Sequence, residues 1–248
     1  EMKIWLLKQK QTQRWDSPLS TISAIYALLW GKEFDLTTDG KVKIQIGNET
    51  LHPEAVEAGT QYFKITFPAE KISPSMGKIT IEKSSKGIGW GAMYWQHDQY
   101  FTAIENQGNS LKIEKKLFVE KLTPQGKNMI PVEQTELKKG DKIITRLVVT
   151  ADRNFEFVAI KDIRAACLEP LQPISGCRWK EGICYYQSSK DASTQFFFNF
   201  VPKGTYVLEY ESWINNSGTF SNGIASIQCM YAPEFVHYSG GGKVYVIQ

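Results

Sequence analysis

Residues 191–235, DASTQFFFNFVPKGTYVLEYESWINNSGTFSNGIASIQCMYAPEF, constrain the fold more than any other part of the chain, because strand-forming aromatics are crowded there between turn signals. Phe196, Phe197 and Phe198, followed by Phe200, suit a pleated, half-buried surface. Val201-Pro202-Lys203-Gly204 then predicts a reversal, since proline fixes φ and glycine closes the turn. Beyond it Tyr206, Leu208 and Tyr210 alternate with Val207, Glu209 and Glu211, the period of a strand with one apolar face. The two runs read as a β-hairpin. Phenylalanine on both faces of the first run predicts a core on one side and a second sheet or a neighbouring domain on the other.

The same signals recur along the C-terminal half. Strands are expected at 111–121, at 142–150 after the Lys139-Gly140-Asp141 turn, and at 155–160, 183–187, 196–200, 205–212, 224–230 and 243–247. Short strands at that spacing predict a mainly β fold whose C-terminal domain, residues 109–248, is an antiparallel β-sandwich. A smaller β module is expected over residues 32–108. There Lys41-Val42-Lys43-Ile44-Gln45-Ile46 alternates before a Gly47-Asn48 turn, further strands are expected at 62–67, 77–82 and 91–96, and ENQGNS at 105–110 has linker composition. Residues 1–31 read as helical. Asp16 or Ser17 can cap a helix with Pro18 in its first turn, Leu19, Ile22, Tyr26 and Leu29 recur at helical spacing, and Gly31 supplies a stop. Residues 2–10 resemble the tail of another helix without a capping residue, so the sequence is expected to begin inside a helical domain. Two short helices cannot bury their own apolar faces and must lean on the β structure or on other domains.

Composition narrows the function classes. A chain of 248 residues with 42% hydrophobic content can build real cores. Its 29 basic and 26 acidic residues are interspersed, with no basic block beyond pairs such as Lys115-Lys116 and Lys138-Lys139, so no nucleic-acid partner is expected. No apolar run approaches the roughly 18 residues of a membrane span, so no direct membrane insertion is expected either. The histidines, His52, His97 and His237, lack metal-ligand spacing, and His97-Asp98 would point to opposite faces of a strand. Gly87-Ile88-Gly89-Trp90-Gly91 lacks the Lys-Ser/Thr ending and the following helix of a phosphate loop. No catalytic residue, metal or cofactor is therefore expected. The four cysteines, Cys167, Cys177, Cys184 and Cys229, allow three complete pairings and show no Cys-x-x-Cys spacing. Cys177 and Cys184 could close a short hairpin at its base as a disulfide, the alternative being free thiols.

One family is resembled in detail. Lys161-Asp162-Ile163-Arg164-Ala165-Ala166, Glu169-Pro170, Ser175-Gly176, Tyr185-Tyr186, Lys190-Asp191-Ala192-Ser193-Thr194, Phe196-Phe197-Phe198, Pro202-Lys203-Gly204-Thr205-Tyr206 and Met230-Tyr231-Ala232-Pro233-Glu234-Phe235 follow the order found at the C-terminal end of bacterial alpha-2-macroglobulin-like proteins. Upstream, Gln13-Arg14-Trp15 with residues 24–29 is similar to the last helix of that family's α/α-toroid, its thioester-type domain. Ala58-Gly59-Thr60-Gln61-Tyr62-Phe63 and Trp90-Gly91-Ala92-Met93-Tyr94-Trp95-Gln96 are similar to the CUB-like β segment that follows.

The resemblance implies a final macroglobulin domain in a protease trap, where a bait segment is cut, the molecule rearranges and the protease is enclosed. It implies a periplasmic or cell-envelope protein, often a lipoprotein, whose partners are the other domains of the parent chain and, through the parent, target proteases. Cys167-Leu168-Glu169-Pro170 is not the family's Cys-x-Glu-Gln thioester motif, because Pro170 has no side-chain carbonyl to form the thioester. On this reading Phe197, Tyr206, Tyr210, Trp90 and Trp95 are candidates for packing between domains. The competing reading is a β-sandwich binding module for carbohydrate or another envelope protein, kept open by seven tryptophans and eleven tyrosines. An enzyme is a distant third.

Overall fold

Alternating apolar residues become strands in this protein wherever a neighbouring strand completes their hydrogen bonds. The structure, a computed structural model, describes residues 1–30, 42–51, 62–84, 91–98, 100, 110–124, 126–180 and 182–248. Trp90, His52, the glycines at 87 and 89 and residues 105–109 of the expected linker lie outside these. Two compact units are formed, Asp16–Met93 and the combination of Glu1–Trp15 with Tyr94–Gln248.

The two expected helices are α1, Met2–Thr12, and α2, Pro18–Leu29, and they fall in different units. Ser17 caps α2 by accepting a hydrogen bond from the Ser20 amide at 3.1 Å, with Pro18 in the first turn, and the helix ends at an extended Trp30. With α2, the smaller unit contains a three-stranded antiparallel sheet of β1 (Val42–Ile46), β2 (Glu49–Leu51) and β3 (Ile79–Lys83), β1 being central. Gly47 turns β1 into β2 at φ 59°. Residues 62–67 and 91–96, expected to be strands, are irregular. Among the described residues neither segment pairs with another strand, and strand propensity is realised only where such a pairing forms.

The larger unit holds the sandwich. Its strands are β4 (Leu111–Thr123), β5 (Gly126–Pro131), β6 (Leu137–Lys138), β7 (Lys142–Ala151), β8 (Phe155–Ile163), β9 (Leu168–Pro170) and β10 (Gly176–Lys180). They continue with β11 (Ile183–Ser189), β12 (Ser193–Val201), β13 (Gly204–Ile214), β14 (Gly218–Asn222), β15 (Ala225–Cys229), β16 (Ala232–Tyr238) and β17 (Gly242–Ile247). A six-stranded sheet in the order β10-β11-β12-β8-β15-β16 faces a five-stranded sheet in the order β5-β4-β7-β13-β9, and β14-β17-β6 form a small third sheet. Among the described residues of this unit every pairing is antiparallel except β17 with β6. The main core lies between the large sheets and includes Ile113, Leu147, Phe155, Ile160, Phe196 and Leu208. A second cluster around Val119, Ile143, Cys167, Ile214 and Val246 fills the end closed by the small sheet.

The aromatic runs at 196–200 and 205–212 are strands but not a hairpin, which corrects the sequence expectation. β12 pairs with β11 and β8, whereas β13 pairs with β7 and β9, so residues 201–204 carry the chain from one sheet to the other. Burial is the reason. Phe196 and Phe198 on β12 and Leu208 and Tyr210 on β13 all need covering, and facing sheets let both sets share one core, whereas a hairpin would lay them side by side on one face. The crossing is fixed where Lys203 donates its amide to Asn154 Oδ1 at 2.9 Å and the Tyr206 hydroxyl donates to Pro202 O at 3.1 Å.

Candidate interaction surface

The two outer faces of the sandwich differ in chemistry. On the five-stranded sheet, outward residues alternate in charge across the strands: Arg146 Nε lies 2.7 Å from Glu209 Oε1, Lys142 Nζ 2.6 Å from Glu211 Oε1, and the Arg146 guanidinium stacks over Phe118 at 4.8 Å. Trp213, two residues beyond Glu211 on the same side of β13, is 45% exposed, so this face carries charged pairs beside an outward indole. The six-stranded sheet groups several aromatic rings on its outer face. Tyr186 on β11 stands opposite Cys177 on β10 and Phe197 on β12, and Trp179 stands opposite Cys184 one pleat away. Trp179, Tyr186 and Phe197 are 73%, 44% and 42% exposed, so three adjacent strands present one aromatic strip. Further along the same sheet Phe157, at a left-handed φ of 54°, meets Tyr231 edge-on with ring centroids 5.0 Å apart, and Phe200 breaks the alternation of β12 to face solvent while Val201 turns in.

The residues singled out from the sequence separate accordingly. Phe197 sits in the strip. Tyr206 is half-buried against the main core, and Tyr210 is 7% exposed inside it, which removes Tyr210 as a surface for another domain. Trp95 is exposed in an irregular segment, apart in sequence from the strip, and Trp90 is not among the described residues. The hairpin expected at Cys177 and Cys184 does form, but its register sets the two cysteines on diagonal positions and both are free thiols. Diagonal neighbours stand about 7–8 Å apart, beyond the usual Cα span of a disulfide. Trp179 and Tyr186 were not singled out: Trp179 lies on a five-residue edge strand where alternation is too short to assign a face.

Inside the sandwich the notable groups are charged. Lys115 on β4 and Asp162 on β8 occupy inward positions of facing sheets, with Nζ 2.6 Å from Oδ1 and side chains 3% and 0% exposed. Lys115 Nζ also donates to Ile163 O at 2.8 Å and Gly223 O at 2.9 Å, and the Tyr210 hydroxyl donates to Asp162 Oδ2. Burial holds the Lys115 ammonium below its ordinary range and the Asp162 carboxyl above its own, against the attraction of each for the other, and burial together with the Asp162 charge drives the Tyr210 hydroxyl well upward. Arg164 is buried beside them, donating to Thr194 Oγ1 at 2.6 Å and Asp191 O at 3.0 Å. Cys167, the cysteine of the false thioester tetrapeptide, is fully buried in the second core cluster, where burial pushes its thiol up. Among the described residues no three potential metal ligands converge. A groove of about 450 Å³ runs between α1 and the turn at 152–154, lined in part by Trp5, Lys8, Arg153 and Lys203, with Arg153 Nε held by Asp152 at 2.8 Å.

Comparison with known proteins adds a family model. Residues 111–234, half of the chain, match the model described as the bacterial alpha-2-macroglobulin MG10 domain. No curated protein matches the sequence. Among solved structures, Escherichia coli alpha-2-macroglobulin activated by porcine elastase is similar at 15% identity and a TM-score of 0.49, covering 97% of this chain and 21% of that one. The native Escherichia coli protein from domain MG7 to the C-terminus is 14% identical with a TM-score of 0.48, covering 95% and 37%, and a point mutant of Salmonella alpha-2-macroglobulin is 16% identical with a TM-score of 0.47, covering 95% and 15%. The chain thus spans well under half the length of each of these proteins.

Proposed function

Because the chain belongs to the bacterial alpha-2-macroglobulin family, we propose that it is a non-catalytic C-terminal part of an envelope protein that traps proteases by changing conformation. The observation that carries this reading is the coincidence of the family match with the two-sheet sandwich that begins at β4. On this reading residues 109–248 are the final macroglobulin domain, 32–108 a CUB-like β segment and 1–31 the end of an α/α-toroid. The sandwich latches the toroid at rest and is released when the bait is cut. Its partners are the other domains of the parent chain and, through them, the target proteases, in the periplasm or at a lipid-anchored station in the envelope.

The grouping of exposed rings on three adjacent strands supports a packing role. Exposed rings cost about 25 cal/mol per Å² left in water, so a Trp179-Tyr186-Phe197 strip across three adjacent strands is suited to being covered. The same strip favours the second reading, a module that binds carbohydrate or another envelope protein by stacking on rings.

The test uses the intact parent. After cleavage by a protease, small-angle scattering should report a compaction or opening, and the captured protease should keep activity on small peptides while losing it on large protein substrates. A cleaved parent of unchanged shape, with the protease still digesting large substrates, would end the trapping reading.

A further inference from the structure

Lys115 and Asp162 are the most enclosed ion pair among the described residues, and their surroundings set them up for more than attraction. The amine is held in one orientation by Ile163 O and Gly223 O, at 2.8 and 2.9 Å. Gly223 is close-packed there: a Cβ on it would come 2.5 Å from Ile163 Cγ2, so only glycine lets this backbone come so near. The carboxyl is held from its other side by the Tyr210 hydroxyl on Oδ2. We propose that Lys115 and Asp162 condense to an isopeptide bond that joins the two sheets of the sandwich covalently.

The step balances without any added reagent. The ammonium passes one proton to Oδ1, giving a neutral amine and a neutral acid. The Nζ lone pair attacks Cγ, and the electron pair of the carbonyl moves onto Oδ2, where the Tyr210 O–H stabilises the developing charge as an oxyanion donor. Nζ then gives a second proton to Oδ1, the Cγ–Oδ1 bond breaks, water leaves and the Cγ–Oδ2 double bond re-forms. The product amide keeps one N–H for a neighbouring carbonyl, and nothing is oxidised or reduced. Burial favours the neutral amine and neutral acid from which attack begins, since it lowers the one pKa and raises the other. Fixed approach of the two groups replaces the entropy of a bimolecular encounter. The inference does not rest on the trapping reading, although a cross-linked sandwich would stay closed while other domains move.

Intact-mass spectrometry of the purified, reduced and denatured 248-residue chain tests it. The expected mass is lower than the sequence mass by one water, with a branched peptide in the proteolytic map joining the segments that contain Lys115 and Asp162. Lys115→Arg and Asp162→Ala should return to their full sequence masses. Asp162→Asn should lose ammonia instead of water and arrive at the same product mass as the unaltered chain. Tyr210→Phe should slow formation of the bond on refolding by about 100-fold, the usual effect of removing one oxyanion donor. An unaltered chain that unfolds cooperatively in urea yet carries its full sequence mass and yields no branched peptide overturns the proposal, whether or not any variant folds.

Discussion

At Ile113 the backbone of β4 runs beyond the reach of β5, which pairs only with residues 118–123, and the amide facing that open edge is taken by a side chain. Ile113 donates it to His237 Nδ1 at 3.1 Å, and His237 is 3% exposed. Burial holds the imidazole below its usual 6.5, helped by Lys112 and opposed by Glu114. Only a neutral ring can accept this hydrogen bond, so the sign is set: the folded state resists a proton that the unfolded state takes up below pH 6.5. The stabilisation is full above that pH and is lost as pH falls below it, at up to ~1.4 kcal/mol per unit. Urea midpoints of the unaltered chain should therefore fall from pH 7 to pH 5 more steeply than those of His237→Gln, whose amide oxygen can accept at any pH. Parallel curves would refute the assignment. The other telling residues at this scale are Lys115 and Asp162. Each interrupts an inward apolar series, Ile113 and Leu117 on β4 and Val158 and Ile160 on β8, so an anomaly was legible in the sequence. That the two anomalies meet was not, because 47 positions and a sheet boundary separate them.

Among the elements, turns were read more securely than pairings. The Lys139-Gly140-Asp141 turn lies where its residues predict, between β6 and β7. Gly140 adopts φ 88° and donates to Ile214 O at 2.8 Å, while Asp141 accepts from the Lys138 amide at 2.8 Å and holds Lys121 Nζ at 2.6 Å. One turn thus ties β4, β6 and β13 together. Gly140→Ala has open space for its methyl group but forces a left-handed conformation on a residue with a Cβ, and should lower stability by ~1 kcal/mol. The check is a lower urea midpoint at unchanged m-value; no shift would mean the turn relaxes without cost. Strands β2, β5, β6, β9, β14 and β16 were not anticipated as strands. Each lies at the edge of a sheet, with one ladder instead of two, and such strands need less apolar sequence to be recruited.

At the scale of the molecule the two units differ in what they bury. Among the described residues the unit from Asp16 to Met93 contributes Ala24, Leu28, Ile46 and Met76 to the buried apolar set, whereas the sandwich contributes two extended clusters. Stability follows buried apolar surface. Amides of β7, β8, β12 and β13 should therefore exchange with solvent only on global unfolding, and those of β1 to β3 orders of magnitude faster. Equal protection in both units, measured by hydrogen exchange with mass readout, would contradict this distribution. The aromatic strip belongs to this scale too, since it exists only once β10, β11 and β12 are side by side in register.

By itself the sequence determined that the chain is mainly β, that helices α1 and α2 stand at its start, where several turns fall, and which family it resembles, because period, capping and turn chemistry act over a few neighbouring residues. Tertiary structure decided the rest. It put the strands on either side of Pro202 into opposite sheets, sent Tyr210 inward and Phe197 outward, set Cys177 and Cys184 out of register, and brought Lys115 to Asp162. Those outcomes depend on which strands become neighbours, and neighbours are chosen by how the apolar faces of the whole chain can be covered together.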